Sequence, residues 1–187
     1  MGFDSETAFE SALIKCLVEE KGWKDGVIKY PTEKDLLDNW AKIIFENNRD
    51  IDRLGDFPMT DGEMAQIMGQ IAKLRTPLNL NGFINGGTVQ IIRDNENDTH
   101  NFKKTISLKI FDRNEIAAGR TRYQIAQQPK FKAKNSIYPN RRGDFCLLIN
   151  GMPVIHVELK KSNVPVSEAQ YQICLLYTSD AADELDG

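Results

Sequence analysis

Residues 141–161, RRGDFCLLINGMPVIHVELKK, contain two short apolar runs on either side of Asn150-Gly151. Asn-Gly between two apolar runs is the strongest short-range signal for a β-hairpin, because both residues tolerate the positive φ angles of a two-residue turn. The segment therefore predicts paired strands over 144–149 and 153–159, and it makes this hairpin one part of a sheet.

Further strand patterns precede the hairpin, and helical patterns precede those strands. The additional strands are predicted over 88–93, 104–111 and 121–128. The helices are predicted over about 5–21, from near Thr32, and from a capping box of Thr60 and Glu63 to a point before Pro77. We therefore divide the chain into a helical part over 1–76, a sheet-forming part over 83–160 and a helix from about 166. This order predicts an α/β or α+β domain with one sheet.

Composition limits the classes of protein that remain. The chain has 187 residues, of which 41% are hydrophobic and 27% are charged, which suits one globular domain and excludes wholesale disorder. No apolar run approaches the ~18–20 residues of a membrane span. Three cysteines without a CxxC pair form no disulfide framework, so we expect a reducing cytoplasm and no membrane association.

Charge is distributed unevenly along the chain. Residues 1–63 hold 15 acidic and 8 basic residues, whereas residues 100–142 hold 11 basic and 2 acidic residues, a net charge of +9. Such a basic block is typical of a surface that faces a polyanion. A solvated face of a curved sheet explains it equally well, and charge alone leaves the two interpretations open.

The hairpin carries the residues that indicate chemistry. Asp144 and Glu158 lie about seven residues on either side of the turn, and alternation along a strand points Glu158 and Lys160 to one side while Leu159 points into the core. Two carboxylates suit a hard cation such as Mg²⁺, and the Leu159 carbonyl could add a third oxygen ligand. Lys160 could position or deprotonate an attacking water. The alternative is a pair of exposed strand charges that protect a sheet edge from aggregation.

This same stretch resembles the signature of the N-terminal nuclease domain of type I restriction enzyme R subunits, a variant of the PD-(D/E)XK motif. The family pattern is an Asp, an apolar strand, Asn-Gly-x-Pro, a second apolar strand and Glu-Leu-Lys. Asp144, Glu158 and Lys160 match it, and so does the segment 150–153, Asn-Gly-Met-Pro. The resemblance covers about residues 5–173 and implies a restriction-endonuclease-like α/β fold with a single mixed sheet flanked by helices.

The resemblance implies an Mg²⁺-dependent endonuclease that hydrolyses DNA phosphodiester bonds. Asp144, Glu158 and the Leu159 carbonyl would hold the metal, Glu10 matches a family acid that approaches it, and Lys160 would act on the water. Gln172, the Gln of the family's Gln-x-x-x-Tyr element, would orient the scissile region. The residues expected to contact double-stranded DNA through its phosphates are Lys130, Lys132, Lys134, Arg141 and Arg142.

The resemblance also implies partners. In the family, ATP is used by motor domains that lie beyond the nuclease domain, and the R subunit works with methyltransferase and specificity subunits. The nuclease domain would therefore depend on ATP only through domains that are missing from this sequence. The alternative from another class is a catalytically silent, nuclease-like module that binds DNA or protein.

The sequence departs from the family pattern at two positions. Gly143 stands where a proline usually precedes the Asp, and Leu176 stands where the Tyr of the Gln-x-x-x-Tyr element belongs. Residues 174–187 include CLLYTSDAADE, which resembles the translation of a sequencing adapter. We therefore expect the natural sequence to end near Ile173, residues 174–187 to be a non-native tail, and cutting by this truncated chain to be impaired.

Overall fold

The computed structural model describes residues 5–74, 76–111, 120–131 and 141–160, together with positions 165, 167, 168 and 170. The predicted site residues Lys132, Lys134 and Gln172 lie outside the described residues, as does the segment 174–187. Arg141 is described through its backbone alone. Positions 167, 168 and 170 are helical, in the region where a helix was predicted from about 166.

The described residues form four helices and eight short strands. The helices are α1 (Glu6–Glu20), α2 (Glu33–Asn47), α3 (Asp61–Ile71) and α4 (Pro77–Ile84). The strands are β1 (Val27–Lys29), β2 (Thr88–Ile92), β3 (Thr105–Lys109), β4 (Tyr123–Gln127), β5 (Lys130–Phe131), β6 (Arg141–Arg142), β7 (Phe145–Ile149) and β8 (Met152–Val157). None of the described helices is long and apolar enough to cross a membrane.

The chain divides into two compact units. Unit 1 consists of residues 1–36 and 123–187, and unit 2 consists of residues 37–122. The predicted site residues that the structure describes all belong to unit 1.

Unit 1 is built on a four-stranded mixed sheet with the strand order β1-β4-β7-β8. β1 runs parallel to β4, and the other two pairs are antiparallel. One core cluster joins Ile14 of α1 to Ile125, Phe145, Leu147 and Leu159. The predicted α/β class with a mixed sheet is confirmed, and so is the burial of Leu159, which is 6% exposed.

The predicted hairpin is present, with its turn at Asn150 (φ 50°) and Gly151 (φ 84°). Both φ angles are positive, as a turn of type I′ requires. The pairing starts at Ile149 opposite Met152, but the register shifts by one residue between Leu147 and Leu148. Such a shift arises when one strand has an extra residue, which is called a β-bulge. Beyond the bulge, the residues that face each other differ from those that the turn alone would pair.

Unit 2 contains a separate two-stranded ladder of β2 and β3. Amide side chains bond the outer backbone of both strands: Gln66 of α3 pairs with both backbone groups of Ile92, at 2.8 and 3.0 Å, and Asn48, the residue after α2, pairs with both backbone groups of Lys109, at 2.8 and 2.9 Å. Amide side chains used in this way cover strand edges that would otherwise be free to pair. The ladder therefore does not join the sheet of unit 1, and the expectation of one sheet for all strands is corrected.

Two boundaries differ from the predicted division. The part predicted as helical over 1–76 contains the strand β1, whose three residues are too few to show a strand period. The third helix ends at Ile71, before the predicted end near Pro77. Pro77 starts a further helix, α4, which continues to Ile84, so residues 83–84 are helical and not part of the sheet-forming segment that was predicted to begin at 83. Proline fits the first turn of a helix because its missing N–H has no helical partner there, and the Thr76 side chain caps the helix.

Candidate active site

The bulge in the hairpin brings Asp144 opposite Glu158. Without it, the pair Ile149–Met152 would set Asp144 opposite Val157, whose side chain belongs to the apolar core. With it, the last pair of the ladder is Phe145–Val157, and the same register continued one residue outward would set Asp144 opposite Glu158. Residues opposite each other in an antiparallel pair point to the same side of the sheet. The predicted meeting of these two carboxylates would therefore depend on the bulge as well as on the turn.

Asp144 is half-buried among charged groups at this end of the sheet. Its Oδ2 accepts a short hydrogen bond from the Leu159 N–H. Burial raises the pKa of Asp144 above its usual value, and the charges of Glu158 and Glu10 act in the same direction. The Leu159 N–H and the Lys160 charge act against this increase in pKa without cancelling it. The pKa of Asp144 is therefore affected by the charges of three other predicted site residues, Glu10, Glu158 and Lys160.

Glu158 is held by a histidine that the sequence analysis did not assign to the site. His156 Nε2 lies 2.8 Å from Glu158 Oε1, and the two side chains are only 7% and 2% exposed. The signal for this contact was available, because residues two apart on a strand point to the same side. Gly143 provides the space, since a Cβ at this position would lie 2.7 Å from His156 Nε2.

Glu10 is a buried carboxylate on α1, 4% exposed and one turn before the buried Ile14. Its Oε1 accepts hydrogen bonds from Gln127 Nε2 at 2.7 Å and from Gln128 Nε2 at 3.2 Å, and its Oε2 accepts from Gln128 Nε2 at 2.9 Å. Gln127 is the last residue of β4 and Gln128 follows it directly, at the end of the sheet where Asp144 lies. The sequence analysis missed them, and two consecutive amides at the end of a strand were the signal that could have indicated them.

Two of the predicted DNA contacts lie next to this site. Lys130 of β5 and Arg142 of β6 are exposed and pair directly across a two-stranded ladder. Like charges opposite each other destabilise a ladder, so a polyanion bound there would remove a repulsion. Arg142 is two residues before Asp144, and the Phe131 ring of the same ladder lies 6.5 Å from the His156 ring.

Cys146 is not suited to act as a nucleophile at this site. Its side chain is buried, and burial together with the Glu158 charge raises the pKa of its thiol to about 11. The thiolate is the reactive form of cysteine, so Cys146 stays protonated and unreactive at neutral pH. This leaves the carboxylates, His156 and Lys160 as the chemical groups of the site.

In the part of the chain that the structure describes, no group of three or more His, Cys, Asp or Glu side chains could hold a metal ion, so a divalent cation at Asp144 and Glu158 would depend on oxygen ligands from other sources. In the described part of the chain no hydrogen bond reaches Asp144 Oδ1 or Glu158 Oε2. Mg²⁺ is usually bound by one or two carboxylates, with water and substrate oxygens completing its octahedron. Two carboxylate oxygens and the Leu159 carbonyl would suffice for that mode of binding.

We expect Gly143→Ala to destabilise unit 1 by about 1–3 kcal/mol, the usual cost of forcing an extra group into a filled space. The new Cβ would displace His156 from Glu158. Gly69→Ala is the matched control, because its Cβ would meet nothing within 4 Å and α3 would gain helix propensity. Urea unfolding measures both effects, and an equal outcome for the two variants would show that the space beside His156 is not tight.

Comparison with other proteins relates the chain to one family. The family described as the type I restriction enzyme R protein N terminus matches residues 4–185. The type I restriction enzyme SsaAORF53P endonuclease subunit of Staphylococcus saprophyticus is 28% identical over 177 residues, and the SauCOLORF180P endonuclease subunit of Staphylococcus aureus strain COL is 27% identical over 175 residues. Each alignment covers 92% of this chain but 16% of the relative, so the chain spans about one sixth of the length of these relatives.

Proposed function

The chain belongs to the family of type I restriction enzyme R protein N termini, and from that premise we propose that it is the DNA-cleaving domain of an R subunit. The reaction is Mg²⁺-dependent hydrolysis of DNA phosphodiester bonds, as in nucleases with the PD-(D/E)XK motif. The relatives it resembles are named endonuclease subunits of type I restriction enzymes, which supports a place in a multi-subunit restriction complex.

The observation that carries this proposal is an excess of buried negative charge. Glu10 and the side chain of Glu158 are buried, and both charges act on the half-buried Asp144, whereas the Lys160 charge acts on it in the opposite sense. His156 contacts Glu158, one of these three carboxylates. Burying carboxylates without compensating charge is costly, so such an arrangement is typical of a site that binds a cation. A divalent ion would supply the missing positive charge.

Each group then has a role. Asp144, Glu158 and the Leu159 carbonyl would hold Mg²⁺, with Glu10 beside them. The bound ion would act as a Lewis acid and offset the negative charge that builds up on the scissile phosphate. Lys160 positions the attacking water and stabilises charge on the same phosphate. Gln172 orients the scissile region.

The basic residues would position the DNA without reading its sequence. Lys130 and Arg142 lie on the ladder next to Asp144, and Lys132, Lys134 and Arg141 extend the same basic stretch. Contacts to phosphates fix orientation on the duplex but carry no sequence information. We therefore assign recognition of the DNA site to a specificity subunit. We assign ATP-driven translocation to motor domains elsewhere in the R subunit. The complex would also contain a methyltransferase subunit and would act in the cytoplasm.

A thermal-unfolding experiment tests the metal site. Mg²⁺ at 100 times its Kd is expected to stabilise the chain by about 2.7 kcal/mol, because binding to the folded state alone stabilises it by mass action. Asp144→Asn should remove this stabilisation. Glu19→Gln, which changes an exposed acid on α1, should retain it. Equal Mg²⁺ stabilisation of all three proteins, or none in the wild type, would contradict the proposal.

A further inference from the structure

We propose that Gln128, assisted by Gln127, is a positioning residue that orients Glu10 so that it presents a single oxygen, Oε2, to the metal site. This inference rests on the proposed function, because it assigns a task to Glu10 at that same site. The inference goes beyond the proposed function because it assigns a task to two uncharged amide side chains that do not belong to the Asp-Glu-Lys motif.

The hydrogen bonds to the two oxygens of Glu10 are unequal. Oε1 accepts from Gln127 at 2.7 Å and from Gln128 at 3.2 Å, whereas Oε2 accepts from Gln128 alone at 2.9 Å. A carboxylate oxygen has about two lone-pair sites. Both sites on Oε1 are therefore used, and Oε2 keeps one for an ion or for a water.

Burial keeps Glu10 in this orientation. Glu10 is 4% exposed and Gln128 is 8% exposed, so bulk water cannot readily replace the amide donors. Gln127 lies two residues after Ile125, and alternation along β4 places it on the face of the sheet that packs against α1. The amide of Gln127 therefore approaches Glu10 from the strand, while Gln128 reaches it from the turn beyond.

The backbone of Gln128 shows that its placement is imposed by the surroundings. Gln128 has φ 51°, an unfavourable angle for a residue other than glycine, and Pro129 follows it directly. Its N–H donates to the Asp144 carbonyl oxygen at 2.7 Å. Strained residues of this kind persist where the surrounding structure fixes them, and they are concentrated at functional sites. One residue thus bonds the backbone of Asp144 and the side chain of Glu10.

Gln128→Asn is the variant that tests the proposal. Asparagine tolerates positive φ better than other residues with a Cβ, and its side chain is one methylene shorter, so the backbone is kept while the amide is withdrawn from Glu10. Mn²⁺ binding to the chain, measured by calorimetry and by the metal-induced rise in Tm, should weaken about 10–100-fold, as is usual when a group that orients a metal ligand is lost. Cutting by the assembled complex should need a correspondingly higher metal concentration.

The control for the backbone is Lys103→Asn, because Lys103 is an exposed residue with φ 60° in unit 2. This variant should bind Mn²⁺ like the wild type. A double-mutant cycle with Glu10→Gln separates positioning from a general structural effect. Gln128→Asn should weaken binding when Glu10 is present and have little further effect when Glu10 is already changed.

The outcomes are distinguishable from those of the proposed function. If the wild-type chain binds no Mn²⁺, the proposed metal site itself fails. If the wild type binds and Gln128→Asn binds equally well, or if the effects of the two changes are additive, the positioning role is wrong. If Gln128→Asn does not fold, Gln127→Asn enters the same cycle, since it removes one bond to Glu10 from a regular strand; additive effects there would overturn the proposal.

Discussion

Replacing Lys160 with alanine is expected to lower DNA cutting by the assembled complex by about 10²–10⁴-fold, the usual contribution of a side chain that moves or holds a proton in the reaction. Lys160 follows the buried Leu159, so its backbone is anchored by the apolar core beneath the site. Its charge acts to lower the pKa of Asp144, one of the proposed metal ligands.

DNA binding and ATP hydrolysis should remain nearly unchanged in the same variant. The proposed phosphate contacts are supplied by the basic ladder, and ATP hydrolysis is assigned to other domains. Cutting, DNA binding and ATPase rates would be measured side by side on complexes that contain wild type, Lys160→Ala and Lys15→Ala. Lys15 is a suitable control because it lies on α1 with a side chain that is 70% exposed.

The alternative function predicts the opposite pattern. In a nuclease-like module that only binds DNA or protein, Lys160→Ala would weaken binding and leave no cutting to lose. Loss of binding in this variant, with no loss of cutting relative to the Lys15→Ala control, would therefore favour the interaction module over the nuclease.

The main features of the hairpin could be predicted from sequence because they depend on local preferences. Asn150-Gly151 selects the turn, and strand alternation sends Leu159 into the core. The register at Asp144 could not be obtained in this way, because it depends on a bulge between Leu147 and Leu148. Pro153 is paired next to the shift on an edge strand, where proline is tolerated, but a proline alone does not specify a bulge.

The environment of Glu10 was beyond sequence reasoning for a different reason. Its partners Gln127 and Gln128 are more than 110 residues away along the chain, and no periodic pattern relates an acid on a helix to amides at the end of a strand. The separate ladder of unit 2 is similar in this respect. Its edges are covered by Asn48, the residue after α2, and by Gln66 of α3, and no sequence pattern distinguishes these two amides from other polar residues.

The buried arginine of unit 2 is the clearest structural feature that no motif indicated. Arg93 is 0% exposed, and it pairs through Nη1 with Glu63 at 2.6 Å and through Nε with Asp98 at 2.9 Å. Its Nη2 donates to the Phe57 carbonyl oxygen at 2.6 Å. Glu63 also completes the capping box of α3 with Thr60. The predicted capping box is therefore confirmed, but its acid has a second partner in the interior.

Arg93→Leu is expected to destabilise the chain by about 3–5 kcal/mol, because removing one member of a buried ion cluster leaves the other charges uncompensated. The measurement is urea unfolding at pH 7. Arg49→Leu is the matched control, since Arg49 pairs with Asp56 on the surface with a side chain that is 57% exposed. Exposed pairs contribute about 0–1 kcal/mol, so the control should change stability little.

The pH dependence of these variants provides a second test of the same cluster. Burial raises the pKa of Asp98, but hydrogen bonds from Arg93 and Asn101 and the Arg93 charge outweigh it and lower the pKa below its usual value of 3.8. In the wild type, Asp98 therefore contributes stability above pH 3.8 that is lost as pH falls through its lowered pKa. In Arg93→Leu the burial of Asp98 is no longer opposed by the arginine, so protonation of Asp98 in acid relieves part of the destabilisation. The stability difference between wild type and Arg93→Leu should therefore be smaller at pH 4 than at pH 7, whereas a difference independent of pH would mean that Arg93 stabilises unit 2 through packing alone.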